Sequence, residues 1–145
     1  MLWGRSRRNK ALVKRYVAAI NAHDAETVES LLTEDFTYID SWREGVRGRD
    51  KVMAAFRRLV ATDPDFSIEV DHIDWREPHV LMTGRVNSRH FGTGRRAVWQ
   101  ILVRDGLVAE YQAWAEGGPP PISRMLAPDH ATRMAERAAD KPEIA

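Results

Sequence analysis

The chain has 145 residues, 43% of them hydrophobic, which suits one domain with a core of its own and makes neither disulfides nor a structural metal necessary. Charged residues make up 30%, but 22 basic against 21 acidic leave a formal charge of +1, which argues against a nucleic-acid footprint spread over the whole surface. Cysteine is absent, excluding thiol catalysis, thiolate-bound zinc and disulfides.

Residues 1–8 carry Arg5, Arg7 and Arg8 and read as a basic N-terminal tail. Lys14 and Arg15 interrupt the apolar run that follows, so no signal-peptide core forms, and no run approaches the roughly 20 residues that span a bilayer. A cytoplasmic protein without membrane or nucleic-acid partners is expected. Over residues 10–22, Leu12, Val13, Tyr16, Val17 and Ile20 recur at helical spacing, predicting an amphipathic helix with Tyr16 on its buried face. Asp24 suits the N-cap of a second helix that runs through Val28 and Leu31 to about residue 32.

Residues 36–40 alternate, so a short strand would point Phe36, Tyr38 and Asp40 the same way. SWREGVRG reads as a loop. Val52, Met53, Phe56, Leu59 and Val60 predict a third helix over 49–61, ended near Pro64. From Phe66 the period becomes two, through FSIEVDHIDW, HVLMTGRVNSRHF, RRAVWQILV and LVAEYQAWA, which predicts an antiparallel meander. Val80, Met82, Gly84, Val86, Ser88 and His90 share one alternating face. Glu77 and Pro78, Gly92 to Gly94, and the pair Asp105 and Gly106 supply the turns.

The last hairpin admits two loops. A two-residue loop pairs Val103 with Val108, whereas a three-residue loop with a bulge at Gly106 pairs Val103 with Leu107. The second is preferred, because it gathers Ala97, Trp99, Ile101, Val103, Ala109, Tyr111 and Ala113 on one apolar face. Residues 117–145 open with a Gly/Pro linker and hold a weak helical stretch over 131–139, a tail able to dock on its own domain or on a partner.

The pieces RYVAAINAHD, LLTEDFTYID, GRDKVMAAF and DGLVAEYQAW, in this order over residues 9–116, resemble the NTF2-like superfamily in its SnoaL-like and ketosteroid-isomerase-like branches. The resemblance implies an α+β cone with a cystatin-like arrangement: three N-terminal helices packed in a strongly curved antiparallel sheet that encloses an apolar pocket. It also implies a homodimer through the sheet. Tyr16 matches the tyrosine that donates to the enolate oxygen in the isomerase branch, and Asp40 matches that branch's proton-shuttling base. The second acid of that branch has no counterpart here, because its position holds Trp99, or Gln100 if the register slips by one.

The candidate catalytic residues are therefore Asp40 as general base, Tyr16 as hydrogen-bond donor and His90 as a second acid/base partner. Bland alternatives stand beside them: Tyr16 as a core aromatic, Asp40 as a cap or a partner of Arg43 or Arg47, and His90 as a solvated rim residue. Tyr38, Trp42, Phe56, Met82, Val86, Ser88, Trp99, Ile101 and Tyr111 are expected to line the pocket, with Trp42 at its mouth. Trp75 and Trp114 are expected on the outer sheet face, where dimerisation would cover them. The Arg85, Asn87, Arg89 face and the Arg95, Arg96 pair read as a solvated basic patch.

No phosphate-binding glycine loop or metal-ligand spacing occurs, so neither an organic cofactor nor a metal is implied. A pocket for a small, mostly apolar cyclic or polyketide-like molecule follows, with isomerase, cyclase or dehydratase chemistry if it is catalytic. The alternative is a non-catalytic ligand-sensing or dimerisation module.

Overall fold

Residues 2–90 and 92–134 are described by the computed structural model. The first helix, α1 (Leu2–Asn21), buries Leu12, Val13, Tyr16, Val17 and Ile20 as the periodicity requires. Each aliphatic side chain so buried contributes about 1.5–3 kcal/mol. The helix begins well before residue 10, so residues 2–8 are helical rather than a tail. Arginine is a good helix former, the Arg7 guanidinium lies 5.5 Å from the Trp3 ring centroid, and Arg5 pairs with Glu77 at 2.9 Å. At the other end the Asn21 side chain exchanges two hydrogen bonds with the backbone of Ile68, at 2.9 and 2.8 Å, fastening the helix to the sheet.

Asp24 caps α2 (Ala25–Ser30), accepting from the Thr27 amide at 3.2 Å. The helix stops at Ser30, and β1 (Leu32–Ile39) starts earlier than the alternation indicated. The cause is tertiary: the Val108 amide donates to the Leu31 carbonyl at 2.8 Å, and Leu32 pairs with Val108. The stretch read as a loop contains β2 (Glu44–Arg47), antiparallel to β1. Gly48, at φ 107°, then turns the chain into α3 (Arg49–Thr62).

β3 (Ser67–Arg76), β4 (His79–Ser88), β5 (Gly92–Arg104) and β6 (Leu107–Ala115) form the expected antiparallel meander. The full order is β3-β4-β5-β6-β1-β2-β7, where β7 is the short Thr132–Arg133. The sheet is not wholly antiparallel, because β1 runs parallel to β6. β2 and α3 lie between β1 and the meander, whose last long strand returns beside β1 in that direction.

In the last hairpin, Arg104 pairs with Leu107 and Val103 with Val108, so the two-residue loop replaces the preferred three-residue one. Asp105 and Gly106, at φ 54° and 74°, both take the left-handed conformation that suits the twist of a two-residue hairpin. A register shift between Leu102 and Val103 then restores the expected facing. Ile101 lies opposite Tyr111 and Trp99 opposite Ala113, so Trp99 faces inward and Gln100 does not.

Residues 117–134 do not form a plain linker. They hold α4 (Ile122–Leu126), which packs on α3 and β2, and then β7 beside β2. The expected helix over 131–139 gives way to that strand at Thr132–Arg133, and its remainder lies outside the described residues. The outcome is an α+β fold with a curved mixed sheet, α1 against β3 and α3 against β1. No helix among the described residues is long and apolar enough to cross a membrane.

Candidate functional site

A cavity of about 130 Å³ lies between α1, α3 and the inner face of the sheet. Tyr16 from α1, Phe56 from α3, Tyr38 from β1, Val86 from β4, Trp99 from β5 and Tyr111 from β6 all line it. The three phenol rings cluster at one wall. Tyr16 meets Tyr111 edge-on with centroids 5.3 Å apart, and Tyr38 stacks on Tyr111 at 6.0 Å.

Burial raises the pKa of all three phenols above their ordinary value. Tyr38 is pushed further by the charges of Asp40 and Tyr16, and Tyr111 by those of Tyr16 and Tyr38. A hydrogen-bonding approach of the Trp99 indole opposes the shift at Tyr111, although the Tyr111 hydroxyl has no partner of ordinary hydrogen-bond geometry. The phenols therefore remain protonated, and each offers a donor to an oxygen inside the cavity.

Asp40 is placed differently from the expected base. It follows the end of β1, is 2% exposed, and is not among the residues lining the cavity. Its Oδ1 accepts from the amides of Trp42 and Glu44 at 2.9 and 3.1 Å, and its Oδ2 from the amide of Ser123 at 3.0 Å. Three backbone donors satisfy a buried carboxylate as well as a salt bridge would. Asp40 thus ties the turn after β1 to the first turn of α4.

The other departures share one cause, the way strand ends and helices close the cone. Met82 and Ile101 face inward but are wholly buried in the core cluster, away from the cavity wall. The Ser88 hydroxyl donates to the buried Asp63 carboxylate at 2.5 Å, joining the end of β4 to the end of α3 instead of facing the cavity. His90 lies beyond the strand, exposed, with Nε2 3.3 Å from the Thr62 carbonyl oxygen, far from the role of a second acid/base partner. Trp42 is half exposed and not among the residues lining the cavity, and its Nε1 donates to the Pro119 carbonyl at 2.6 Å. Trp75 packs against the core rather than on the outer face, because it pairs with Val80 in the inward-facing row.

The residues missed from the sequence are spread over most of the elements around the cavity, from Ile20 and Phe36 to Leu59 and Ala97, and include one whole segment near the C-terminus. Pro119, Pro120, Ile122, Ser123 and Leu126 form a strap that completes the cavity wall. It is held by Asp40, by Trp42, by the Ser123 hydroxyl donating to the Glu44 carbonyl at 3.0 Å, and by Arg58 donating to the Leu126 carbonyl at 2.8 Å. Ile122 and Leu126, four residues apart, were the available signal of an apolar helix face. Among the described residues no group of three or more histidine, aspartate and glutamate side chains is arranged to hold a metal ion.

The family model of the SnoaL-like domain matches residues 13–111, well over half of the chain. No curated protein matches the sequence. Among solved structures, the chain is similar to an LEH-like epoxide hydrolase from M. tuberculosis, at 18% identity and a TM-score of 0.68, covering 77% of this chain and 85% of that one. It is also similar to a Kribbella flavida protein provisionally named a ketosteroid isomerase, at 20% identity and a TM-score of 0.68, covering 94% and 96%. A SnoaL-like protein of unknown function from Burkholderia thailandensis gives 20% identity and a TM-score of 0.66, covering 77% and 97%. Identities this low speak for the fold alone. With the matched domain and the curved sheet in agreement, the chain belongs to the SnoaL-like family of the NTF2-like superfamily.

Proposed function

We propose that this chain binds a small, mostly apolar cyclic molecule bearing one carbonyl or hydroxyl oxygen, and that Tyr16 and Tyr38 grip that oxygen as neutral donors. The observation that carries the reading is that neither hydroxyl makes a hydrogen bond among the described residues, although both rings line a mostly apolar cavity. Neither hydroxyl oxygen is fully buried, so a ligand oxygen in the cavity would take either as a donor, while the Tyr111 hydroxyl beside them is the buried one without a partner of ordinary geometry. The volume of about 130 Å³ favours a single ring, since a cavity of about 150 Å³ accommodates benzene, and a four-ring steroid would have to displace the wall. The epoxide hydrolase and isomerase names of similar folds fit small oxygenated apolar molecules.

Two phenols can polarise a carbonyl, which supports enolisation chemistry of the isomerase, cyclase or dehydratase kind. Proton transfer by Asp40 would require its Trp42 or Ser123 amide to let go. Ligand binding without turnover is therefore the reading favoured by the resting geometry. Homodimerisation through the outer sheet face, where Trp114 lies opposite Val98, belongs to the same proposal.

Calorimetry with 4-methylcyclohexanone and toluene tests the grip. The ketone is expected to bind wild type about tenfold more tightly than the Tyr16→Phe, Tyr38→Phe double variant, from two hydrogen bonds of about 0.5–1.5 kcal/mol each, while toluene binds both alike. Equal ketone affinities would overturn the reading. Deuterium uptake next to the ketone carbonyl, followed by NMR in wild type and Asp40→Asn, separates the two kinds of function: uptake that needs Asp40 would establish it as a base.

A further inference from the structure

We infer that the groove between α1 and the free edge of the sheet takes a short, extended acidic peptide, which adds to β3 as a further strand and sets its carboxylates against Lys10 and Lys14. β3 is the last strand on its side of the sheet and pairs only with β4. Such an edge turns a row of N–H and C=O groups outward, where another chain can pair with them. Part of the row is already met by side chains that stand in for a neighbouring strand. Asn21 exchanges two hydrogen bonds with the Ile68 backbone, and the His23 Nε2 lies 2.9 Å from the Phe66 carbonyl oxygen. Further along, the Trp75 amide donates to the Asp74 carboxylate at 2.9 Å. Between these, the backbone from Val70 to Ile73 has no side-chain partner among the described residues. Ile68 turns its groups away from β4 toward Asn21, so by the alternation of an antiparallel pair Val70 does too.

The groove of about 580 Å³ follows this uncovered stretch, with Val70 to Ile73 on one side and Lys10, Lys14 and Val17 on the other. It stands apart from the cavity described above, sharing Ile68 alone. Lys10 and Lys14 are one helical turn apart, a spacing at which like charges repel, and neither makes an ion pair or hydrogen bond among the described residues. The helix α1 holds Arg5, Arg7, Arg8 and Arg15 besides these lysines and no acidic residue, a local surplus in a chain whose formal charge is only +1. Within the groove the two lysines outweigh the single acid, Asp71. A strand carrying carboxylates on one face answers both the backbone and the charge. The edge of a second copy does not, because pairing β3 with β3 would bring Glu69, Asp71 and Asp74 against their own counterparts. The bulge between Val70 and His72 also bends the edge, which limits the added strand to a few residues.

The test is an NMR titration of the isotope-labelled full chain with a short peptide of alternating valine and glutamate, acetylated and amidated at its ends. Saturable shifts are expected at the Val70 to Ile73 amides and on α1 around Lys10 and Lys14. The same peptide with glutamine for glutamate should bind about fivefold more weakly, the effect of two exposed charge contacts. Lys10→Gln, Lys14→Gln together should remove that difference, with an unchanged urea midpoint showing that the fold is kept. Backbone N-methylation of every valine in one peptide and of every glutamate in another separates strand addition from ionic attraction, because only one of the two alternations faces β3. One methylated form should lose binding while the other keeps it. The absence of saturable shifts at Val70 to Ile73 in wild type would overturn the inference, and so would equal binding of the glutamate and glutamine peptides or of the two methylated forms.

Discussion

Asp40 shows how the same residue can match a family pattern and serve a different end. Its match to the base of the isomerase branch was legible from spacing, but its partners were not, because the Ser123 amide lies 83 residues away. A carboxylate holding three backbone amides acts on the loop and strap before it acts on a ligand. Asp40→Ala should therefore cost about 2–4 kcal/mol of stability in urea unfolding, since buried N–H groups would be left unsatisfied. It should also speed amide hydrogen exchange at Ser123, and unchanged exchange there would show that the strap is held by its other contacts. Tyr16 was legible as a buried face residue, and Trp99 was the inward member of the Trp99/Gln100 choice. Arg95 was misjudged, because a charged residue on a strand reads as solvated until the opposite wall is known.

Among the elements, those with strong periodicity were placed well. The first and third helices and the four meander strands depend on local spacing of apolar residues, which a sequence displays directly. The elements that were missed, β2, α4 and β7, are short and owe their form to neighbours. The β5–β6 hairpin lies between these cases. Its facing was deduced correctly from the apolar row, but the extra residue sits within the strands and not in the loop. The β3–β4 pair carries a similar irregularity between Val70 and His72, and there Gly84 has no room for a side chain. A Cβ at Gly84 would lie 1.9 Å from the Glu69 carbonyl oxygen, a backbone atom unable to swing aside. Gly84→Ala should destabilise the fold by about 3 kcal/mol in urea unfolding through overpacking. A neutral result would mean that β3 yields at its bulge.

At the scale of the whole molecule, the cavity exists because α1, β1 and β6 bring Tyr16, Tyr38 and Tyr111 to one wall. That arrangement makes stability depend on alkaline pH in a definite direction. Unfolded phenols ionise near pH 10, whereas burial raises the folded values. Above about pH 10 the folded state holds more protons than the unfolded one, so the contribution of the phenols is complete below that pH and is lost as pH rises toward the folded values. The urea midpoint should fall between about pH 9 and about pH 11, and the Tyr16→Phe, Tyr38→Phe double variant should show a shallower fall. Equal slopes would mean that the rings are reached by solvent before unfolding.

The sequence by itself determined the family, the α+β class, most long elements and the inward row that includes Trp99 and Tyr111, because these follow from local periodicity and from motifs in a set order. The tertiary structure alone decided that β1 runs parallel to β6, that residues 119–126 form a wall of the cavity, that Asp40 holds that wall, and that Arg95 reaches the cavity. Each of these depends on which distant backbone groups meet, and hydrogen-bond partners chosen across the fold leave no local spacing in the chain.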